Sequence, residues 1–309
     1  MSPKPDKDKA LLIAKLRNAI SRLPGLSESI LESDDFNLED ISSLHIFAYG
    51  SLISDPHYEP ATTQKGYLWG FTRDFCCRSV RSGTQEFYGL TLGLNENEEG
   101  IVPGRILTYE DMTIEELTEM LTAYADREVT PHNIYKFEML EIEKEDGKKI
   151  FALVCIANAK SDGFVNDSLS HRARKRLNKD ERKEVTIWRK SSIIAQADGP
   201  AGTNKSYLDR YVRYDIQKKP VTYDEAAAKK LPENERKRLK AISQDQARMK
   251  QLIDAVDIQR QFMLPLETKR LEKIEKRQWD KFVERQESKP NPPSETLMQK
   301  LSRQMFGPK

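Results

Sequence analysis

Three cysteines, four histidines and no long apolar run leave the 309-residue chain without the features of several common protein classes. Cys76 and Cys77 are adjacent and Cys155 stands alone. That set makes neither a disulfide framework nor a CxxC redox or metal pair, and it points to a reducing, cytoplasmic setting. His45, His57, His132 and His171 lack HExxH or Cys/His ligand spacing, so no metal and no cofactor is expected. GxSxG, GxGxxG and Walker loops are missing too, which removes the nucleophile elbow and the usual phosphate cradles. The first twenty residues hold no apolar stretch before a small-residue cleavage site, and the longest apolar run, around residues 151–159, is too short to cross a bilayer. Sec secretion and membrane insertion are therefore not expected, while export by another route stays open.

Apolar residues make up 38% of the chain, against about 45–50% in an average globular protein, so part of it is expected to lie outside a core. The net charge of +2 gives no overall reason to expect nucleic acid as a partner. Its distribution is uneven. Residues 217–309 hold 22 basic and 14 acidic side chains, leaving 29 and 35 for residues 1–216, hence +8 and −6.

Three segments follow. Residues 1–43 read as a helical extension, with Leu11, Leu12, Ala14, Leu16, Ile20 and Leu23 at helical spacing before Pro24-Gly25 and an acidic loop through Asp40. Residues 44–216 read as an α+β domain with a mostly antiparallel, barrel-like sheet. Its strands are expected at 45–49, 67–75, 87–94, 104–109, 134–142 and 150–157, with turns at 95–100 and 145–148 and a charged segment at 168–190. Residues 217–309 read as a charged helical hairpin, with Leu239, Ile242, Met249, Ile253 and Val256 as its apolar positions, Pro265 as a break and a linker at 289–293. It would pack on the body or on a protein partner.

Within the central domain, Tyr49-Gly50-Ser51-Leu52 ends a strand at a glycine turn, where successive backbone N–H groups can face a carboxylate or a developing oxyanion. The helix expected over 113–128 opens with a Thr113/Glu116 capping box and carries Ile114, Leu117, Leu121 and Tyr124 as one stripe. Glu128 extends that stripe, four residues beyond Tyr124. A carboxylate there takes a salt bridge, with Arg127 or Arg73 as partner, sits on a helix end that frays into solvent, or has a raised pKa and trades protons. Gly199-Pro-Ala-Gly-Thr-Asn204 delivers a helix start, capped by Thr203 or Asn204, with Tyr207 one turn in.

Read together, Phe47-Ala-Tyr-Gly-Ser-Leu-Ile53, Gly66-Tyr-Leu-Trp-Gly-Phe-Thr-Arg-Asp-Phe-Cys76, Gly83-Thr-Gln-Glu-Phe-Tyr-Gly-Leu-Thr-Leu-Gly-Leu94, Arg127-Glu-Val129 and Ile194–Asn204 with Tyr207-Leu208 resemble the ChaC family of glutathione-degrading γ-glutamylcyclotransferases. The resemblance covers about 170 residues. It implies a γ-glutamylcyclotransferase-like small β-barrel with flanking helices, Tyr49, Gly50, Ser51 and Leu52 as the γ-glutamyl-binding loop, Glu128 as acid/base, and glutathione as substrate. Arg73 and Tyr207 are added as substrate-binding candidates. Ser54 and Arg81-Ser82 depart from the family's usual residues, and the two extensions fall outside the resemblance. The alternatives are cyclisation of other γ-glutamyl compounds, or a non-catalytic scaffold that binds through its basic tail.

Overall fold

The computed structural model describes residues 7–26, 43–56, 58–128, 133–165, 175–263 and 265–287. The acidic loop through Asp40, His57, His132, His171 and the linker at 289–293 lie outside these residues.

The longest hairpin organises the sheet. β2 (Thr62–Ser79) and β3 (Gly89–Tyr109) pair antiparallel from Thr62↔Thr108 to Ser79↔Gly89. β1 (Leu44–Ala48) joins the far edge of β3, while β4 (Tyr135–Lys144) and β5 (Lys149–Ala157) continue from β2. Parallel pairing of β1 with β5, Ile46↔Leu153 and Phe47↔Val154, closes a five-stranded barrel in the order β1-β3-β2-β4-β5. The β2–β4 seam is equally short, Gly66↔Lys144 and Tyr67↔Glu143, so two brief pairings close the barrel. Phe47 and Phe75 are fully buried inside; large apolar side chains removed from water are worth roughly 1.5–3 kcal/mol each.

Two expectations need correction. Residues 95–100 do not reverse the chain between two strands. Glu96 pairs with Phe71 and Ile101 with Trp69, so residues 97–100 form an irregularity opposite Gly70 within one strand. A Cβ on Gly100 would sit 2.2 Å from the Phe71 carbonyl oxygen, so only glycine lets the chain lie that close to β2. The expected turn at 145–148 does form, closed by the Lys144 N–H donating to the Lys148 carbonyl with Gly147 at φ +83°.

Around the barrel, α1 (Lys7–Ser21) buries Leu16, Ala19 and Ile20, and the turn after it Leu23, in the same core as α2 (Ile114–Glu128), while Leu11 and Ala14 face solvent. The second correction concerns the charged segment at 168–190, whose described part contains most of α3 (Lys179–Gln196), started by an Asn178/Glu181 capping box. Its apolar stripe is only Ile194 and Ala195 beside buried Lys190 and Ser191, too sparse to stand out. After it come α4 (Asn204–Leu208), a π-helical turn (Asp209–Arg213), α5 (Tyr214–Lys218) and the short α6 (Glu225–Ala228).

The basic segment forms α7 (Glu233–Gln261) and α8 (Pro265–Glu287). Met249, Leu252, Ile253 and Val256 of α7 lie in one core with barrel residues Leu90, Leu92 and Leu94. Both helices thus pack on the body, α8 through the turn at Gly202-Thr203 and α4, and Arg260 of α7 pairs with Glu275 of α8. The junction of α7 with the barrel includes a buried ion pair: Arg73 on β2 donates from Nη2 to Asp245 Oδ2 at 2.6 Å, both side chains being 4% exposed. Removing one member of such a pair strands the other charge in a low dielectric. Asp245→Ala is expected to lose about 3–5 kcal/mol in urea denaturation, and Arg73→Met with Asp245→Leu to recover most of it.

Candidate active site

Three separate chain segments converge at one end of the barrel. Past the end of β1, Ser51–Ile53 forms a single 3-10 turn, with the Ile53 N–H donating to the Gly50 carbonyl. The amides of Ser51 and Leu52 open that turn and have no acceptor within it. α2 arrives from the other side. Its Thr113 N–H donates to Glu116 Oε2, and the Glu116 N–H to Thr113 Oγ1, so the expected capping box fixes its start. Leu117, Met120, Leu121, Tyr124 and Ala125 bury one face and leave Arg127 and Glu128 at the last turn.

Arg127 joins helix to loop. Its Nε lies 3.1 Å from Glu128 Oε1, its Nη2 donates to Ser51 Oγ at 3.3 Å and its Nη1 to the Asp55 carbonyl at 3.0 Å. The salt bridge left open by the sequence is therefore made with Arg127.

The third segment is the turn before α4. Its Gly199 packs so closely on Gly83 that a Cβ would come within 2.4 Å of that backbone, and the Ala201 N–H donates to the Arg81 carbonyl. Thr203 is the N-cap and accepts from the Ser206 N–H, while the buried Asn204 side chain exchanges two hydrogen bonds with the Leu90 backbone, both 2.6 Å. Tyr207 is thereby delivered beside the 3-10 turn, its hydroxyl close to the Leu92 backbone and the Ser51 side chain.

A cleft of about 180 Å³ is lined by Ser51, Arg81, Arg127, Glu128, Tyr135 and Tyr207, among others. A recess sharing Ser51, Glu128, Tyr135 and Tyr207 with it adds Tyr49, Gly50 and Leu52. Of the catalytic and substrate-binding candidates, Tyr49, Gly50, Ser51, Leu52, Glu128 and Tyr207 meet here and Arg73 does not. That side chain lies behind the loop, occupied by Asp245, and reaches only the Tyr49 carbonyl, at 3.4 Å. Tyr135 escaped the sequence reading; its hydroxyl donates to the Leu92 carbonyl at 2.6 Å. Tyr211 and Arg210 also line the cleft, and Tyr211 could have been found as the residue one helical turn beyond Tyr207.

Burial raises the Glu128 pKa, opposed by the charges of Arg127 and Arg81 and by the Arg127 hydrogen bond. The balance leaves a carboxyl that exchanges its proton at a higher pH than an ordinary glutamate, which suits acid/base work. Burial also raises the phenols of Tyr49, Tyr135 and Tyr207, so they stay neutral hydrogen-bonding groups. The three cysteines are free and buried. Cys155 accepts from Tyr49 through its backbone carbonyl, at 2.8 Å, and burial pushes its thiol pKa up. Among the described residues no three His, Cys, Asp or Glu side chains gather as a metal site would need, and no helix is long and apolar enough to cross a membrane.

Residues 44–234, more than half of the chain, match the family model described as ChaC-like protein, and the chain belongs to that family. Over 170 residues it is 29% identical to the glutathione-specific γ-glutamylcyclotransferase of Escherichia coli (strain K12). That alignment takes in 55% of this chain and 64% of the relative, just under two thirds of its length. Two crystal structures of a yeast γ-glutamyl cyclotransferase specific to glutathione are similar at 16% identity. One has a TM-score of 0.47 over 70% of this chain and 98% of the other; the selenomethionine-labelled form has 0.45 over 67% and 97%.

Because the Arg127 charge opposes burial at Glu128, Arg127→Gln is expected to raise the Glu128 pKa further. A carbon-13 NMR titration of the labelled side-chain carboxyl checks this, with the midpoint moving to higher pH.

Proposed function

We propose that the protein degrades glutathione by intramolecular cyclisation of its γ-glutamyl group, releasing 5-oxoproline and cysteinylglycine. The observation that carries this is the position of Glu128 in one cleft with the Tyr49–Leu52 loop, the two linked through Arg127. Family membership and the named activity of the E. coli relative support the same reading.

The chemistry follows from the substrate's own connectivity. The α-amine of a γ-glutamyl amide reaches the γ-carbonyl carbon and closes a five-membered lactam, an intramolecular attack with high effective molarity. The new N–C bond replaces the C–N bond to cysteine. Ionised Glu128 takes one proton from the α-ammonium before attack and gives it to the departing cysteine nitrogen; the attacking nitrogen sheds a second proton as the lactam forms, and cysteinylglycine leaves with both as an ammonium, so the carboxylate is restored at the end of the cycle. Amides of the 3-10 turn would hold the substrate and the charge that develops on the carbonyl oxygen. Arg78, Arg81 and Arg210 give the cleft positive charge to meet the carboxylates of glutathione. The three free, buried thiols fit action in a reducing cytoplasm.

Incubation with reduced glutathione, followed by mass spectrometry, is expected to show 5-oxoproline and cysteinylglycine in equal amounts. Glu128→Gln keeps the size of the side chain but can neither accept nor return the proton, and turnover should fall by about 10²–10⁴; full turnover in that variant would refute the assignment. In the base role Glu128 must be ionised. Since burial raises its pKa, the rate should climb with pH through a midpoint above that of an ordinary glutamate. Arg127→Gln should move that limb higher still.

A further inference from the structure

The family match ends at residue 234, so nearly all of α7 and the whole of α8 lie outside it. Among the described residues, none that lines the Glu128 cleft comes from α8. The helix nevertheless supports the opposite wall of that cleft at two levels.

One level is aromatic. Tyr207 and Tyr211 line the cleft, their rings 4.8 Å apart and inclined at 61°. Behind them Phe282 of α8 meets Tyr211 edge-on, at 6.0 Å and 84°, and also packs on Tyr214 at 5.2 Å and Trp279 at 5.9 Å. Phe282 is 6% exposed, so this contact is part of a sealed interface. Edge-to-face pairs of this kind fix the relative orientation of the rings as well as their separation. Tyr211 needs that support, because it stands on the π-helical turn Asp209–Arg213. Such turns are rare and tend to occur at functional sites.

The other level is polar. Thr203, 1% exposed, donates to Glu275 Oε1 at 3.0 Å, and Glu275 is held in turn by Arg260 at the end of α7. Gln278 Nε2 donates to the carbonyl of Ala201, itself a cleft residue, at 3.3 Å. Arg270 pairs with Asp198 at 3.0 Å. The turn that delivers Tyr207 is thus fastened to α8 from Asp198 through Thr203.

We propose that α8 positions the substrate-contacting wall of the cleft, with Phe282 setting the placement of Tyr211 and Tyr207 and Glu275 anchoring the turn before them. Phe282 and Glu275 are positioning residues that act through the wall, so they govern how well the γ-glutamyl substrate is held more than how fast it cyclises. This rests on the cyclotransferase reading above. Glu128, Arg127 and Ser51 form the other side of the cleft, tied to one another and to the Asp55 carbonyl through Arg127.

Steady-state kinetics on glutathione with the full chain separate the possibilities. Phe282→Ala is expected to raise KM about tenfold, a modest misplacement of a binding wall, while kcat stays within about twofold and the pH midpoint set by Glu128 does not move. Phe282→Leu, which restores most of the bulk, should bring KM back to within about threefold of the parent. Should Phe282→Ala not fold, Glu275→Gln, which weakens the anchor without opening a cavity, is read the same way, with a KM increase of a fewfold expected. A merely structural role would lower melting temperature and active fraction, hence apparent kcat, and leave KM unchanged; that outcome overturns the proposal. An unsubstituted enzyme that turns over no γ-glutamyl compound refutes the underlying reading instead, so the two failures are distinguishable.

Discussion

One guanidinium holds the site together. Arg127 divides its donors among the Glu128 carboxylate, the Ser51 hydroxyl and the Asp55 carbonyl, so the end of α2 cannot shift without pulling the loop that follows β1. The same arginine limits how basic Glu128 becomes. A fully desolvated carboxylate with no counter-charge would stay protonated through neutral pH, and one gripped by a bidentate arginine would be too weak a base to take a proton from an ammonium. The Arg127 and Glu128 side chains are 14% and 15% exposed, with Nε and Oε1 3.1 Å apart. Burial outweighs the pair without cancelling it. In stability terms a raised carboxyl pKa costs the folded state nothing below the unfolded pKa of Glu128, and the cost grows as pH rises toward the folded one.

Barrel topology explains why so much of the machinery sits at one end. β1 and β5 are parallel neighbours, so both finish at the same rim, and β4, antiparallel to β5, begins there. The rim therefore collects Tyr49 just past β1, Cys155 to Ala157 at the end of β5, and Tyr135 at the start of β4. Tyr49 donates across it to the Cys155 carbonyl and Tyr135 to the Leu92 carbonyl. These two phenols tie the end of β1 to β5 and β4 to β3 beneath the recess.

Local rules carry as far as local interactions do. The Thr113/Glu116 box fixes where α2 starts, the stripe ending at Tyr124 fixes its phase, and Glu128 must then share the buried side. The turn at Gly147 was likewise visible in a few residues. By contrast, nothing near Arg73 announces Asp245, 172 positions away on a helix with few apolar residues, and a lone arginine on a strand beside the loop then resembles a substrate ligand. Residues 95–100 have turn composition, yet β2 runs past them for eighteen residues and its pairing absorbs them as an irregularity. α3 was hidden for another reason: it buries a lysine and a serine in its narrow contact stripe. Lys190 is satisfied by Asp74 at 2.5 Å, a partnership that hydrophobic periodicity does not register.

The charge imbalance between body and tail invites the idea of a basic tail waiting for an acidic partner, but the ion pairs across their junction argue otherwise. Arg238 and Arg270 of the tail meet Glu143 and Asp198 of the body, whereas Asp245 and Asp257 of the tail meet Arg73 and Arg213 of the body. Pairs that run in both directions cannot be produced by the net charge of either segment; they reflect position-by-position complementarity of the kind that fixes register between packed elements. α1 and the turn after it make a similar point at the other terminus, since Leu16, Ala19, Ile20 and Leu23 share their core with the buried face of the helix that ends at Glu128. Segments that look appended in sequence are, in the fold, the outer supports of both walls of one cleft.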